Sequence, residues 1–257
     1  MPSDRKLKKR KSSPPASSGV ELERFTKDDL RTWKRLSENL DKYHVQLYYY
    51  LEGQRALRYS ELREALCSSP SVERRVSRWV RIIEYRYCLQ PLSAVGSLVQ
   101  GGRFNIGNDL NPSKYPIFPA LYLAEDYDTA YQEVFGLRPS SGAAIQGHEL
   151  ALHKPGSFVS VNVSGNVLNL FDLRSAKNLK KFVSAMAGFD VPEELRELAR
   201  SLGIQGPLLA RSSGRLKKDL LAHNWRVYPS QYELPANSQI FGRLILDAGF
   251  DGILYPS

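Results

Sequence analysis

Cysteine is scarce in this chain: Cys67 and Cys88 are the only two in 257 residues. Two cysteines cannot build a disulfide framework. The four histidines, His44, His148, His153 and His223, lie apart. None falls into an HExxH or CxxC type of ligand spacing, so no metal is expected. No run of about 18 apolar residues occurs, so no membrane span is expected. The basic N-terminus is not followed by an apolar stretch, which argues against a secretory signal. A reducing, cytoplasmic setting is the default expectation. Familiar catalytic signatures are missing as well. There is no GxxxxGKS/T loop, no GxGxxG after a strand and no GxSxG elbow. Any nucleotide site must therefore be built in another way.

Hydrophobic residues make up 42% and charged residues 25%, which are globular proportions. The formal net charge is +9. Residues 1–12 hold Arg5, Lys6, Lys8, Lys9, Arg10 and Lys11 against Asp4, a local +5 that leaves +4 for all the rest. The excess is thus mainly a property of the tail. Residues 1–20 end in SSPPASSG and cannot bury a core, so they are expected to be disordered. Such a tail is either a solvated arm or a contact for nucleic acid or an acidic partner.

The spacing of Leu30, Trp33, Leu36, Leu40, Tyr43, Leu47 and Tyr50 predicts one long helix over 25–52, with Gly53 as its stop. A second helix is predicted from near Ser60 to before Pro70. A third is predicted from about Ser71, with Val72, Val76, Trp79 and Val80 as its stripe. After residue 85 short apolar runs alternate with Gly, Pro and Asn clusters. Strands are predicted at Ala120–Ala124, Ser157–Val163, Val167–Leu170 and Asp251–Tyr255. Helices are predicted at Tyr127–Phe135, Leu173–Ala187, Pro192–Leu202 and Gln239–Ala248. Without regular βαβ alternation the pattern reads as α+β.

Chemistry is concentrated between Gly101 and Gly136, and at the end of the chain. Gly101-Gly102 permits a sharp turn, and Arg103 follows with Phe104 and Asn105. An arginine there suits bidentate binding of phosphate or carboxylate, or equally a structural salt bridge. Alternation in ALYLA sends Tyr122 to the face opposite Leu121 and Leu123, offering a flat ring and a hydroxyl, or simple core packing. Asp126 or Asp128 can cap the helix that begins near Tyr127. Glu133 then shares a face with Ala130 and Val134 and is expected to turn toward the protein. An inward carboxylate is costly without a partner or a job; the plain alternative is a buried pair with an arginine. Gly249 and Gly252 bracket a turn into Ile253–Tyr255, and Pro256-Ser257 follows.

Taken together, GGRFN, ALYLAEDYDTAYQEV and GFDGILYPS resemble the RES-domain family, named for its characteristic Arg, Glu and Ser. The resemblance covers about residues 82–257, with the three motifs in the family's order. It implies an ADP-ribosyltransferase-like mixed β core with surrounding helices, here preceded by an α-helical N-terminal region. The resulting layout is a basic tail over 1–20, a helical region over 21–81 and a catalytic domain over 82–257. The resemblance implies NAD as substrate, with the nicotinamide–ribose bond cleaved and phosphate or water as acceptor. It further implies a toxin of a bacterial toxin–antitoxin pair, whose neutralising partner carries a helix-turn-helix domain. Nucleic acid would then be met only indirectly or through the tail.

Carried over motif by motif, Arg103, Tyr122, Glu133 and Ser257 are the implied catalytic residues. Arg86 in EYRYC is the implied second arginine, and Arg103, Tyr122 and Asn105 join it in binding NAD. Two departures stand out: the stretch from Arg103 to Tyr122 is longer than usual, and relatives usually continue past the serine. Two other functions fit the same residues. One is an ADP-ribosyltransferase that modifies a protein; the other is a non-enzymatic module that binds nucleic acid or a partner.

Overall fold

The computed structural model describes residues 27–135, 157–204, 206 and 209–256. The basic tail over 1–20 and Ser257 lie outside the described residues. The chain divides into two compact units, 1–42 and 43–257.

Helix α1 spans Lys27–Leu57 and continues past the stop expected at Gly53. A Cβ at Gly53 would meet nothing within 4 Å, so the glycine there costs about 1 kcal/mol of propensity and disturbs no packing. Contacts beyond it carry the helix onward. Gln54 donates from Nε2 to the Asp190 carbonyl at 2.8 Å and accepts from the Asp190 N–H at 2.9 Å. In the first unit Leu30, Trp33 and Leu36 are exposed. In the second, Tyr43 and Tyr48 are buried, while Tyr50, expected on the inner stripe, is exposed.

Helix α2 (Tyr59–Cys67) buries Leu62 and Leu66. The third predicted helix is instead a strand, β1 (Ser71–Glu84). The physical reason is a disrupted alternation. Register shifts between Val72 and Arg74, and between Val76 and Trp79, interrupt its antiparallel pairing with β2 (Phe158–Asp172). The extra residue on β1 between Val76 and Trp79 delays the return to the inner face, so Val76 and Val80 are buried at a helix-like step. Arg78, with φ of 56°, sits in one of these irregularities, and its N–H donates to Ser164 Oγ at 2.9 Å. The β-branched content of VERRVSRWVRII belongs to the strand it forms.

β2 merges the two strands predicted at Ser157–Val163 and Val167–Leu170 into one. β3 (Gly252–Leu254) pairs with it in parallel, Leu170 opposite Gly252, to give the order β1-β2-β3. Ala120–Ala124 does not form a strand of the sheet. It touches β1 at one position, where Val80 and Ala124 exchange backbone hydrogen bonds of 2.8 and 2.9 Å.

Among the described residues, the remaining α-helices are α3 (Val95–Val99), α4 (Tyr127–Phe135), α5 (Lys180–Ala185), α6 (Glu193–Ser201), α7 (Ser213–Leu220), α8 (Val227–Tyr232) and α9 (Asn237–Asp247). The chain is therefore α+β, with helices around a small sheet. The main core joins α2, the end of β2 and α9 through Leu62, Leu66, Phe171, Phe182, Phe241 and Phe250. Burying side chains of this size contributes roughly 1.5–3 kcal/mol each. Among the described residues, no helix is long and apolar enough to cross a membrane.

Candidate functional site

The Gly101–Asn105 turn is held from three sides. Asn105 is completely buried. Its Nδ2 donates to the Ser97 and Phe118 carbonyls at 2.8 and 3.2 Å. Its Oδ1 accepts from the Gly102 N–H and the Tyr122 hydroxyl, both at 2.9 Å. All its amide positions are thus taken by the protein, which makes Asn105 a clasp for the turn rather than a free ligand contact.

From below, α9 presses directly on this backbone. A Cβ at Gly242 would lie 2.7 Å from the Phe104 carbonyl carbon, so only glycine allows the helix so close. Gln239, also fully buried, donates from Nε2 to the Gly102 and Asn105 carbonyls at 3.1 Å each. Its Oε1 accepts from the Ala236 N–H at 3.0 Å. From the third side, Asp109 Oδ1 accepts from the Gly101 N–H at 2.7 Å.

Tyr122 lies over this turn with a half-buried ring. Its hydroxyl accepts from the Phe104 N–H at 3.0 Å while donating to Asn105. Burial pushes its pKa well above the ordinary tyrosine value. The Phe104 N–H, Arg103 and Arg226 oppose the rise, and Glu133 adds to it. The hydroxyl is therefore neutral near pH 7 and committed to the turn, which leaves the ring as the part a ligand could meet.

Arg103 is half-buried and donates from Nη1 to the Ala222 carbonyl at 2.8 Å. Glu133 stands on α4, whose first turn is capped by Asp126 Oδ1 accepting from the Thr129 N–H at 2.7 Å. The expectation of an inward carboxylate is corrected here, because Glu133 is exposed. It forms no ion pair with a described residue, yet it acts electrostatically on Tyr122, Arg226 and Tyr255. Ala130, not Glu133, is the residue of α4 that enters the core. The carboxylate is thus solvent-exposed and within electrostatic reach of Tyr122 and Arg226.

The structure brings Arg103, Tyr122 and Glu133 into one electrostatic neighbourhood and adds two residues that sequence reading missed. Tyr255 follows β3, packs its ring 5.0 Å from that of Phe104, and has a pKa raised by burial and then by Glu133 and Tyr122. Arg226 closes the 3-10 turn His223–Arg226, its guanidinium 4.5 Å from the Trp225 ring centroid. It keeps solvent access, yet the walls around it desolvate it enough to lower its pKa. Asp109, Tyr122 and Glu133 oppose that lowering, and Arg103 adds to it. The Trp-Arg pair was the available sequence signal, and it is too common to have marked a site.

Arg86 is not part of this group. It is exposed, ion-paired with Glu84 at 2.8 Å, and lies over the Tyr87 ring at 4.8 Å. It does not appear among the charges acting on Tyr122, Arg226 or Tyr255. Ser257 lies outside the described residues. Among the described residues there is no cluster of three or more His, Cys, Asp or Glu able to hold a metal ion.

Chemically, the arrangement offers two guanidiniums for an anion, a neutral aromatic wall, and a carboxylate that can face a developing positive charge. No curated protein and no solved structure matches the chain. A family model does match, described as RES domain, and it covers residues 78–257. With that match extending over more than two thirds of its length, from within β1 to the last residue, the chain belongs to the RES-domain family.

Proposed function

We propose that this protein is a toxin-like enzyme that degrades NAD by cleaving its nicotinamide–ribose bond, with water or phosphate as acceptor. The observation that carries the reading is the Tyr122 hydroxyl bonded to the Phe104 N–H beside Arg103, with Glu133 exposed, within electrostatic reach of Tyr122 and in no ion pair with a described residue. NAD presents matching chemistry: an anionic pyrophosphate, a flat nicotinamide, and a ribose that becomes cationic as its bond breaks.

In the proposed reaction the C–N bond to nicotinamide breaks and its electron pair neutralises the ring nitrogen. The ribose passes through an oxocarbenium-like state. Glu133 stabilises that charge and orients the acceptor. An acceptor oxygen then bonds to the anomeric carbon, and its proton leaves to solvent when the acceptor is water. Arg103 holds phosphate oxygens, and the Tyr122 ring lines the nicotinamide end. Ser257 is proposed to hydrogen-bond the sugar or phosphate. The catalytic domain is proposed to span 82–257. An antitoxin with a helix-turn-helix domain is the proposed partner, and the cytoplasm the proposed setting.

The exposure of Glu133 favours a small acceptor arriving from solvent. Incubating the purified protein with radiolabelled NAD tests this. Free ADP-ribose or its 1-phosphate supports the reading, whereas label retained on protein makes it a protein-modifying transferase. NAD left intact at every enzyme concentration contradicts it.

A further inference from the structure

The geometry points to Arg226 as the second phosphate-binding arginine of this site, forming with Arg103 a clamp for a pyrophosphate-bridged substrate. The identity of that substrate rests on the NAD reading above; the clamp itself does not.

Arg103 Nη1 bonds the carbonyl of Ala222, the residue that opens the 3-10 turn ending at Arg226, so the two guanidiniums belong to one neighbourhood, and neither has an ion pair with a described residue. Elsewhere in the protein arginines at short range from carboxylates pair with them, as Arg174 does with Asp172 and Arg215 with Asp219. Here the nearby acids do not close onto the guanidiniums. Asp109 is occupied by the Gly101 N–H, and Glu133 on α4 forms no ion pair with a described residue. Two guanidiniums beside a Gly-Gly turn, neither ion-paired with a described residue, form the arrangement that a doubly anionic group would complete.

The local structure holds both cations in place. Arg103 Nη1 is tied to the Ala222 carbonyl, which joins the Gly101–Asn105 turn to the loop that carries Arg226. The Trp225 ring supports the Arg226 guanidinium at 4.5 Å, and the side chain stays exposed to solvent. Arg86, the alternative second arginine, is ion-paired with Glu84 at 2.8 Å and makes no hydrogen bond or ion pair with Arg103, Tyr122 or Arg226.

The test compares Arg226→Ala, Arg226→Lys and Arg86→Ala in the full chain, each checked by circular dichroism. If Arg226 grips pyrophosphate in both ground and transition states, Arg226→Ala raises the KM for NAD by about 10- to 100-fold while kcat changes far less. Arg226→Lys recovers part of the loss, because an ammonium supplies charge without the fork. Turnover of nicotinamide riboside, which lacks the pyrophosphate, is the same in wild type and Arg226→Ala. An unchanged KM in folded Arg226→Ala, or a larger loss in Arg86→Ala, overturns the assignment. If the wild type does not consume NAD at all, ADP titrated by calorimetry separates the two ideas. Binding that Arg226→Ala loses and Arg86→Ala keeps supports the clamp and rejects the NAD reading. Binding that is equal in all variants, or absent, rejects the clamp as well.

Discussion

The ring of Tyr122 rests directly on the backbone of Gly102, so that a Cβ on Gly102 would lie 2.6 Å from Tyr122 Cζ. The ring cannot swing aside, because its hydroxyl is held by the Phe104 N–H and by Asn105. Gly102→Ala therefore forces the turn and the ring apart. The expected loss is about 1–3 kcal/mol of stability, as for other overpacked sites. Urea denaturation measures it, and a wild-type midpoint would show that the turn is softer than this packing implies.

Tyr122→Phe keeps the ring and removes the hydroxyl. The Phe104 N–H loses its side-chain acceptor, and Asn105 Oδ1 loses a donor. A buried group left unpaired costs about 1–3 kcal/mol, so a lower denaturation midpoint is expected even though no core volume is lost. Equal stability would mean that water or a shifted backbone replaces the hydroxyl.

How much of this was legible in the sequence depends on the range over which each feature is determined. Helix α4 was read residue for residue, because its cap at Asp126 and its apolar face are local signals. The helix predicted over Leu173–Ala187 came out as a short α-helix, Lys180–Ala185, between two 3-10 turns. Strand β1 was misread because its extra residue between Val76 and Trp79 imitates helical spacing, and that bulge exists only against β2, about 90 residues later by the pairing of Val76 with Gly165. Helix α7 was missed, although Ser212 caps it by accepting from the Arg215 N–H. Its run, SGRLKKDL, is short and has a glycine at its second position, Gly214. In the site, Arg103, Tyr122 and Glu133 could be named through the family motifs. The clasp of Asn105 by Ser97, Phe118 and Tyr122, and the arrival of Arg226 beside Arg103, depend on tertiary contact and leave no periodic trace.

Gln239 offers a test of how the turn is supported. Gln239→Ala removes the donor to the Gly102 and Asn105 carbonyls and the acceptor of the Ala236 N–H. With buried groups left unpaired, a loss of at least about 1–3 kcal/mol is expected, together with weaker substrate binding through Arg103. Denaturation and a KM measurement on the same sample check both halves. A stability loss without any change in KM would separate the turn from the site.

Stability should also fall in alkaline solution. Burial is the leading cause of raised pKa values at Tyr48, Tyr115, Tyr122 and Tyr255. Burial also leads at Tyr59, pushed up to about 12, where the hydrogen bond to Asp247 adds to it. The folded state then keeps protons that the unfolded chain releases near pH 10. These groups contribute stability that is fully present below about pH 10 and is lost as pH rises through the folded values. Each of the more buried tyrosines contributes a slope of at most about 1.4 kcal/mol per pH unit, and the exposed Tyr59 contributes less because solvent screens it. Melting temperatures between pH 8 and pH 11 are expected to hold level and then drop above about pH 10. A level profile through that range would contradict the burial of these hydroxyls.

The most direct test of the central claim is NAD consumption by the purified protein beside Glu133→Gln, with and without inorganic phosphate. Losing a transition-state electrostatic contact costs about 2.7–4 kcal/mol, roughly 100- to 1000-fold in rate. Because Glu133 is exposed and makes no ion pair with a described residue, the substitution is expected to leave stability unchanged. The account predicts NAD loss with the wild type, almost none with a folded Glu133→Gln, and a phosphate dependence that identifies the acceptor. Equal turnover by the two proteins would contradict the role given to Glu133, and no turnover by either would contradict the enzyme.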